Sequence, residues 1–374
     1  MFDAVPATAL VEVVAGHFDA LDAEAARLDR DGGFPDEGFG LLRAAGALLA
    51  PLPRHVGGQG IGTEPAGGLA LLSLLRTIGR ASLSLGRLYE GHVNALKLIV
   101  HYGTDAQVAT AADDVRDGHV FGIWVTEGPD PVRLIGTGAT SHLAGEKLFA
   151  SGACVLTRPL ITAQPADGPP RMVVARLGSD RNASPTVGGL TGMRGAATGR
   201  CDFTGMPIVP EQRVGAPGDY LRQPEFSAGA WRGIAVALGG IDRLVDTIRD
   251  QLARRGRAGN PHQAVRIGEA LIARETASMW ARRAALLAEG GMFEPGDVAA
   301  TVNLARIACE QAGLTVIQLT QRALGLQGFL QTNQAERVMR DLATYLRQPA
   351  PDETLVEAAM WFTGRDLPDP ERRP

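Results

Sequence analysis

Apolar residues in the first third of the chain recur every three to four positions. In LVEVVAGHFDALDAEAARLD, the side chains of Leu10, Val13, Val14, Phe18, Leu21 and Ala25 fall on one face at that period, which predicts an amphipathic helix. Glycine-rich RHVGGQGIGT (54–63) interrupts the pattern. LALLSLLRTIGRA and GHVNALKLIVHYG resume it, and Gly103 stands where the last of these helices is expected to end. From about 118 to 215 the texture changes. HVFGIWVTE, EKLFASGACVLTRPLITAQ, PRMVVARL and RCDFTGMPIVP are short, β-branched runs broken by Gly, Pro and Asp, and they predict strands of an antiparallel sheet or small barrel. Helical spacing returns from about 226 to 347. There VNLARIACEQAGLTVIQLTQRAL places Leu304, Ile307, Ala308, Leu314, Val316 and Ile317 in the expected apolar stripe of an antiparallel bundle.

Helices, strands and helices thus come in blocks rather than in alternation, which argues against a parallel βαβ sheet. The expected class is α+β, with an N-terminal helical domain (1–116), a middle β domain (117–218) and a C-terminal four-helix-type bundle with a tail (219–374). The last helical stretch, RDLATYLRQPAPDETL, changes character at Pro349 and Pro351. Neither proline can donate a backbone N–H, so the helix is expected to stop there and lead into a surface tail.

Composition narrows the function classes. Of 374 residues, 37 are Lys or Arg and 41 Asp or Glu, for a net charge of −4, which leaves no electrostatic footprint for nucleic acid or an anionic membrane. No apolar run reaches the roughly 18–20 residues that cross a bilayer. MFDAVPATALVEVV carries an acidic residue early and has amphipathic spacing, unlike a secretory leader. Cys154, Cys201 and Cys309 are widely spaced and odd in number, so neither a disulfide framework nor a metal site is expected, and a cytoplasmic protein with reduced thiols is. No dinucleotide-binding glycine fingerprint, phosphate-binding loop, HExxH or CxxC occurs.

A set of strings in a shared order resembles the acyl-CoA dehydrogenase family of flavoproteins over roughly residues 8 to 350. LLRAAGALLAPLPRHVGGQG resembles the family's helix, glycine turn and P-E-x-G-G-x-G loop, and HYGTDAQV its step into the sheet. FGIWVTEGPD, LAGEKLFASGA and TGMRGAATGRCDFTGMPIVPEQRVG resemble its middle-domain strings. LGLQGF and RVMRDLATY resemble its late glycine turn and the R-D helix that follows. The resemblance implies FAD, with the ring between the sheet and the second helical domain. By position it assigns Thr126, with the backbone of Trp124 and Val125, to the pyrimidine edge, Phe149 to the ring face and Ser151 to the vicinity of N5. ARRGRAGNPHQAV resembles the segment that reaches FAD on a neighbouring subunit, which puts Arg255 at the pyrophosphate and implies a homodimer or homotetramer. Ala258 replaces the family's phenylalanine there. Gly325, Gln327 and Gly328 match the turn that approaches the dinucleotide, with Leu326 in place of a second glycine.

The catalytic base is the departure. The family removes a substrate α-proton with a glutamate a few residues after the R-D helix, and counting from Arg340-Asp341 that position is Pro349. A subgroup carries its glutamate on the first helix of the last segment, just before an arginine, where this chain has Trp231-Arg232. Asp352 and Glu353, three and four residues beyond Pro349, and His92, in a segment that lines the substrate side, are the remaining candidates; Trp231 and Arg232 join His92 as substrate-lining positions. Pro129-Asp130-Pro131 stands where the family keeps the serine of its CoA contact.

Three readings follow from the resemblance. The first is a flavin oxidoreductase acting on an acyl-CoA or related thioester with an electron-transfer partner. The second is a flavin-dependent monooxygenase served by a flavin reductase. The third is a binding scaffold without turnover.

Overall fold

The first apolar stripe folds as two helices, not one. In the computed structural model, which describes residues 7–136 and 140–370, α1 (Ala7–Gly16) and α2 (Phe18–Asp31) break at His17. Leu10, Val14, Leu21 and Ala25 are buried, while Val13 is exposed. The first six residues of the N-terminal stretch read above lie outside the described residues. Next come α3 (Asp36–Ala44), α4 (Gly68–Ala81), α5 (Leu83–Tyr102) and α6 (Asp105–Arg116). Gly103 does end α5, but in extended geometry, and Thr104 opens α6 with a capping box that Gln107 closes.

Nine strands occupy the middle: β1 (Phe121–Trp124), β2 (Arg133–Ile135), β3 (His142–Ala144), β4 (Glu146–Ala150), β5 (Arg158–Pro165), β6 (Arg171–Val174), β7 (Asn182–Pro185), β8 (Gly199–Asp202) and β9 (Arg213–Val214). A six-stranded sheet runs β3-β2-β5-β6-β9 with β1 also on β5, and β4-β8-β7 form a second sheet. The expectation of antiparallel pairing holds only in part. Both β1 and β2 run parallel to β5, with Phe121 opposite Arg158 and Arg133 opposite Gln164, because the β2–β4 excursion supplies the crossover that parallel strands need.

The last segment contains α7 (Glu225–Ala228), α8 (Ala230–Arg254), α9 (Pro261–Gly290), α10 (Pro295–Leu324), α11 (Gln334–Tyr345) and α12 (Pro351–Trp361). In α10 the buried face is Val302, Ala305, Cys309, Ala312 and Val316. Leu314 points outward at 42% exposure, and Leu304 and Ala308 are half-buried. The expected surface tail is also corrected. Pro349 ends the preceding run, but Ala350 turns the chain at φ 48° and Pro351 then starts α12, since proline at a first helical position forfeits no hydrogen bond. Trp361 of α12 donates its indole N–H to Asp297 at 2.8 Å, docking the helix on α10.

One core runs through all three blocks. Its tightest seam joins α4 to α8. A Cβ on Gly79 would stand 2.2 Å from the Val236 carbonyl oxygen, and one on Gly239 would stand 2.2 Å from that of Arg76, so the two backbones touch through bare glycines. Arg76 and Asp242 clamp the same seam with paired hydrogen bonds of 2.5 and 2.8 Å.

Candidate active site

Helix α5 is apolar and buried for most of its length, yet Arg87, Glu90, Asn94 and Lys97 recur along one face at helical spacing. That polar stripe forms one wall of a cavity of about 210 Å³. Trp124, Val125 and Thr126 at the end of β1 and Leu148 and Phe149 on β4 form a second wall. The first turn of α8 (Arg232, Gly233, Ile234), Arg306 and Cys309 of α10, and Tyr345, Leu346 and Gln348 at the end of α11 complete it. A larger groove of about 910 Å³ between α6, β6 and β9 contains none of the residues singled out by sequence.

The strand wall has the chemistry of a flat-ring site. Phe149 is 55% exposed and held at φ 48°, an unusual state for a large aromatic residue. The Leu148 N–H donates to the Thr126 carbonyl at 3.0 Å, so exposed Thr126 sits beside Phe149 at the cavity mouth. Beneath them Lys147 is fully buried, with its ammonium on Glu127 and, at 2.9 Å, on the Thr162 hydroxyl, which fixes the 126–127 turn against β4. Trp124 is a core residue whose indole donates to the Ser151 carbonyl at 2.9 Å. Ser151 lines a separate small void with Arg87 and Trp124 rather than the main cavity. An exposed aromatic, a neighbouring hydroxyl and a tethered turn fit a flavin ring.

The helical wall is charged. Arg232 is buried, donates to Asn94 at 2.8 Å and bonds Glu289 of α9; Lys97 reaches the same Glu289 at 3.0 Å, and the Trp231 indole donates to it at 3.0 Å. Burial pushes the Glu289 carboxyl up, but Arg232 and Lys97 outweigh it and hold it below its ordinary value. Trp231 is enclosed and does not line the cavity; Arg232 does.

His92 is not on the cavity wall. Its ring is fully buried, with Nε2 on the Leu48 carbonyl at 2.8 Å and Nδ1 accepting the Phe121 N–H at 3.1 Å, which ties α5 to β1. Burial pushes its pKa down to about 4, so it is a neutral strut. At Pro349, the position that the resemblance assigns to the family's base, the carbonyl accepts from Arg306 at 2.7 Å. Asp352 and Glu353 are exposed in the first turn of α12, where carboxylates suit the helix dipole, and neither lines the cavity. Arg255 meets Gln251 at 2.8 Å and the Leu324 carbonyl at 3.5 Å. This brings it to the turn holding Gly325, Gln327 and Gly328, a cluster apart from the cavity.

Residues 9–118 match the family model for the acyl-CoA dehydrogenase N-terminal domain. The chain has the acyl-CoA dehydrogenase fold. Butyryl-CoA dehydrogenase from Megasphaera elsdenii superposes with a TM-score of 0.85 at 15% identity, covering 96% of this chain and 99% of that one. The dibenzothiophene monooxygenase TdsC from Paenibacillus sp. A11-2, solved with FMN and indole, gives 0.81 at 20% identity over 97% and 99%. Among sequence relatives, 3-sulfinopropanoyl-CoA desulfinase of Paraburkholderia xenovorans (strain LB400) is 26% identical over 86% of each chain. The cavity residues that motif reading passed over include Arg87, Glu90, Lys97, Gly233 and Tyr345. A polar stripe on an otherwise apolar helix was the signal for the first three.

Proposed function

We propose that the protein is a flavin-dependent oxidoreductase that holds a small substrate in the cavity and does not begin its reaction by carboxylate removal of an α-proton. The observation that carries this is the state of the carboxylates. Among the described residues lining the cavity, Glu90 is engaged by Arg87 and, at 3.0 Å, by Asn94; Glu310 is engaged by Arg347; and Glu225 faces His101 at 4.0 Å. None of these stands at the two positions that the resemblance assigns to the family's base, Pro349 and Trp231. A thioester α-proton does not leave unaided, so base-dependent α,β-dehydrogenation lacks its first step.

Flavin-dependent oxygen transfer needs no such base, and it is the chemistry we favour. A bound flavin would supply the redox step. Thr126 and the 124–126 backbone would hold its pyrimidine edge, Phe149 would cover the ring and Ser151 would lie behind it. FAD is the form that the Arg255, Gly325, Gln327 and Gly328 cluster would serve, from a neighbouring subunit of a homodimer or homotetramer. A flavin reductase would then be the redox partner. The second reading, an acyl-CoA or related thioester substrate with an electron-transfer partner, draws on the desulfinase relative. It also draws on Lys97 and Arg232, two cations of the cavity wall that share the Glu289 carboxylate.

The test is anaerobic mixing of the flavin-loaded protein with butyryl-CoA. Intact flavin bands are expected; bleaching of the bands would overturn the conclusion. Flavin released from the same sample identifies FAD or FMN.

A further inference from the structure

The floor of the cavity contains a buried donor with nothing to donate to. Tyr345, the last residue of α11, is 6% exposed, and its hydroxyl has no hydrogen-bond partner in the protein. Buried phenols normally find one, because an unpaired hydroxyl loses its water without compensation. Across from it α8 offers Gly233. A Cβ at that position would stand 3.3 Å from the Tyr345 hydroxyl and 3.8 Å from Glu90 Oε2, so both oxygens border one small space that only a glycine leaves open. Glu90 is fixed there by Arg87 and Asn94.

We propose that Tyr345 is a substrate-binding residue whose hydroxyl donates to a neutral oxygen of the substrate, a hydroxyl or a carbonyl, seated over Gly233. The neighbouring Glu90 carboxylate selects against an oxyanion at that spot and can accept from a substrate hydroxyl. Burial and the nearby Glu90 charge push the phenol well above its ordinary value, so Tyr345 remains a donor rather than a base across the working pH range. This assignment rests on the cavity being the substrate site.

The test uses the full chain and three probes of similar size: phenol, benzoate and toluene, each titrated by ligand-observed NMR. Phenol is expected to bind more tightly than either of the others. Tyr345→Phe keeps the ring and removes the donor; it should weaken phenol binding about tenfold and leave toluene unchanged. Its thermal midpoint without ligand should be no lower than that of the wild type, because no intramolecular bond is lost. Gly233→Ala, which fills the space and leaves the phenol in place, should show the same selective loss. If the probes bind but neither variant changes the preference for phenol, or if Tyr345→Phe lowers the ligand-free midpoint while phenol binding holds, the proposal fails and the cavity reading survives. If none of the probes binds the wild type, both fall.

Discussion

At the scale of single residues, Asp341 sets a pH dependence that can be isolated. Its carboxylate accepts the Met193 N–H at 2.6 Å, and burial raises its pKa to about 6 against that hydrogen bond. The folded state therefore holds this proton more tightly than the unfolded chain does. The stability it contributes is present below pH 3.8 and is lost as pH rises through about 6. Asp341→Asn keeps an acceptor for Met193 and removes the titration. Its stability relative to wild type should rise by on the order of 2 kcal/mol between pH 4 and pH 8 in urea melts. The sequence showed Asp341 as half of an R-D pair and could not show that it is buried under a β-domain turn. His92 could not be placed from sequence for the same reason: a histidine on an apolar helix looks alike whether its nitrogens face a cavity or two backbone groups. Pro349 is legible as a proline from residue identity alone, whereas its standing at the base position rests on counting from Arg340-Asp341 within the resemblance.

Elements were legible as far as their periodicity was carried by large side chains. The helix–strand–helix order follows from such runs. The buried face of α10 follows only in part: Ile307, Val316 and Ile317 of the expected stripe are buried, but Ala305, Cys309, Ala312 and Gly313 fill much of that face, while larger Leu314 faces outward. Small residues there let Leu346 pack onto the helix at Gly313. Helix α12 escaped notice because proline reads equally well as a stop and as a start. The α4–α8 seam shows what small residues achieve at full contact. Gly239→Ala would push a methyl group into the Arg76 carbonyl, with backbone on both sides and nothing flexible to yield. A loss of about 2–3 kcal/mol or more is expected in denaturant melts. An equal substitution at exposed Gly364, which has open space around it, should cost far less.

On the scale of the whole molecule, long-range ion pairs bind the two helical blocks around the sheet. Arg340 of α11 grips Asp29 of α2 at 2.8 and 2.9 Å and the Thr191 carbonyl at 2.6 Å, and the Lys97–Glu289–Arg232 group spans α5, α8 and α9. None of the helices among the described residues is long and apolar enough to cross a membrane. The bare-glycine seam has a consequence for how such a chain is made. Helix α4 emerges during synthesis well before α8, the surface it fits, and the whole β region is made in between. Until then Leu71, Leu74, Leu75 and Ile78 lack part of their cover, and the early helices wait with an open flank. Residues 1–118 expressed alone should therefore bind a hydrophobic dye and self-associate in light scattering, and adding a separate 219–374 fragment should suppress both. A soluble, dye-silent 1–118 would mean that the family-model segment folds as an independent unit. The outcome reports whether this protein can fold in instalments as it is synthesised or only once its last helices have been made.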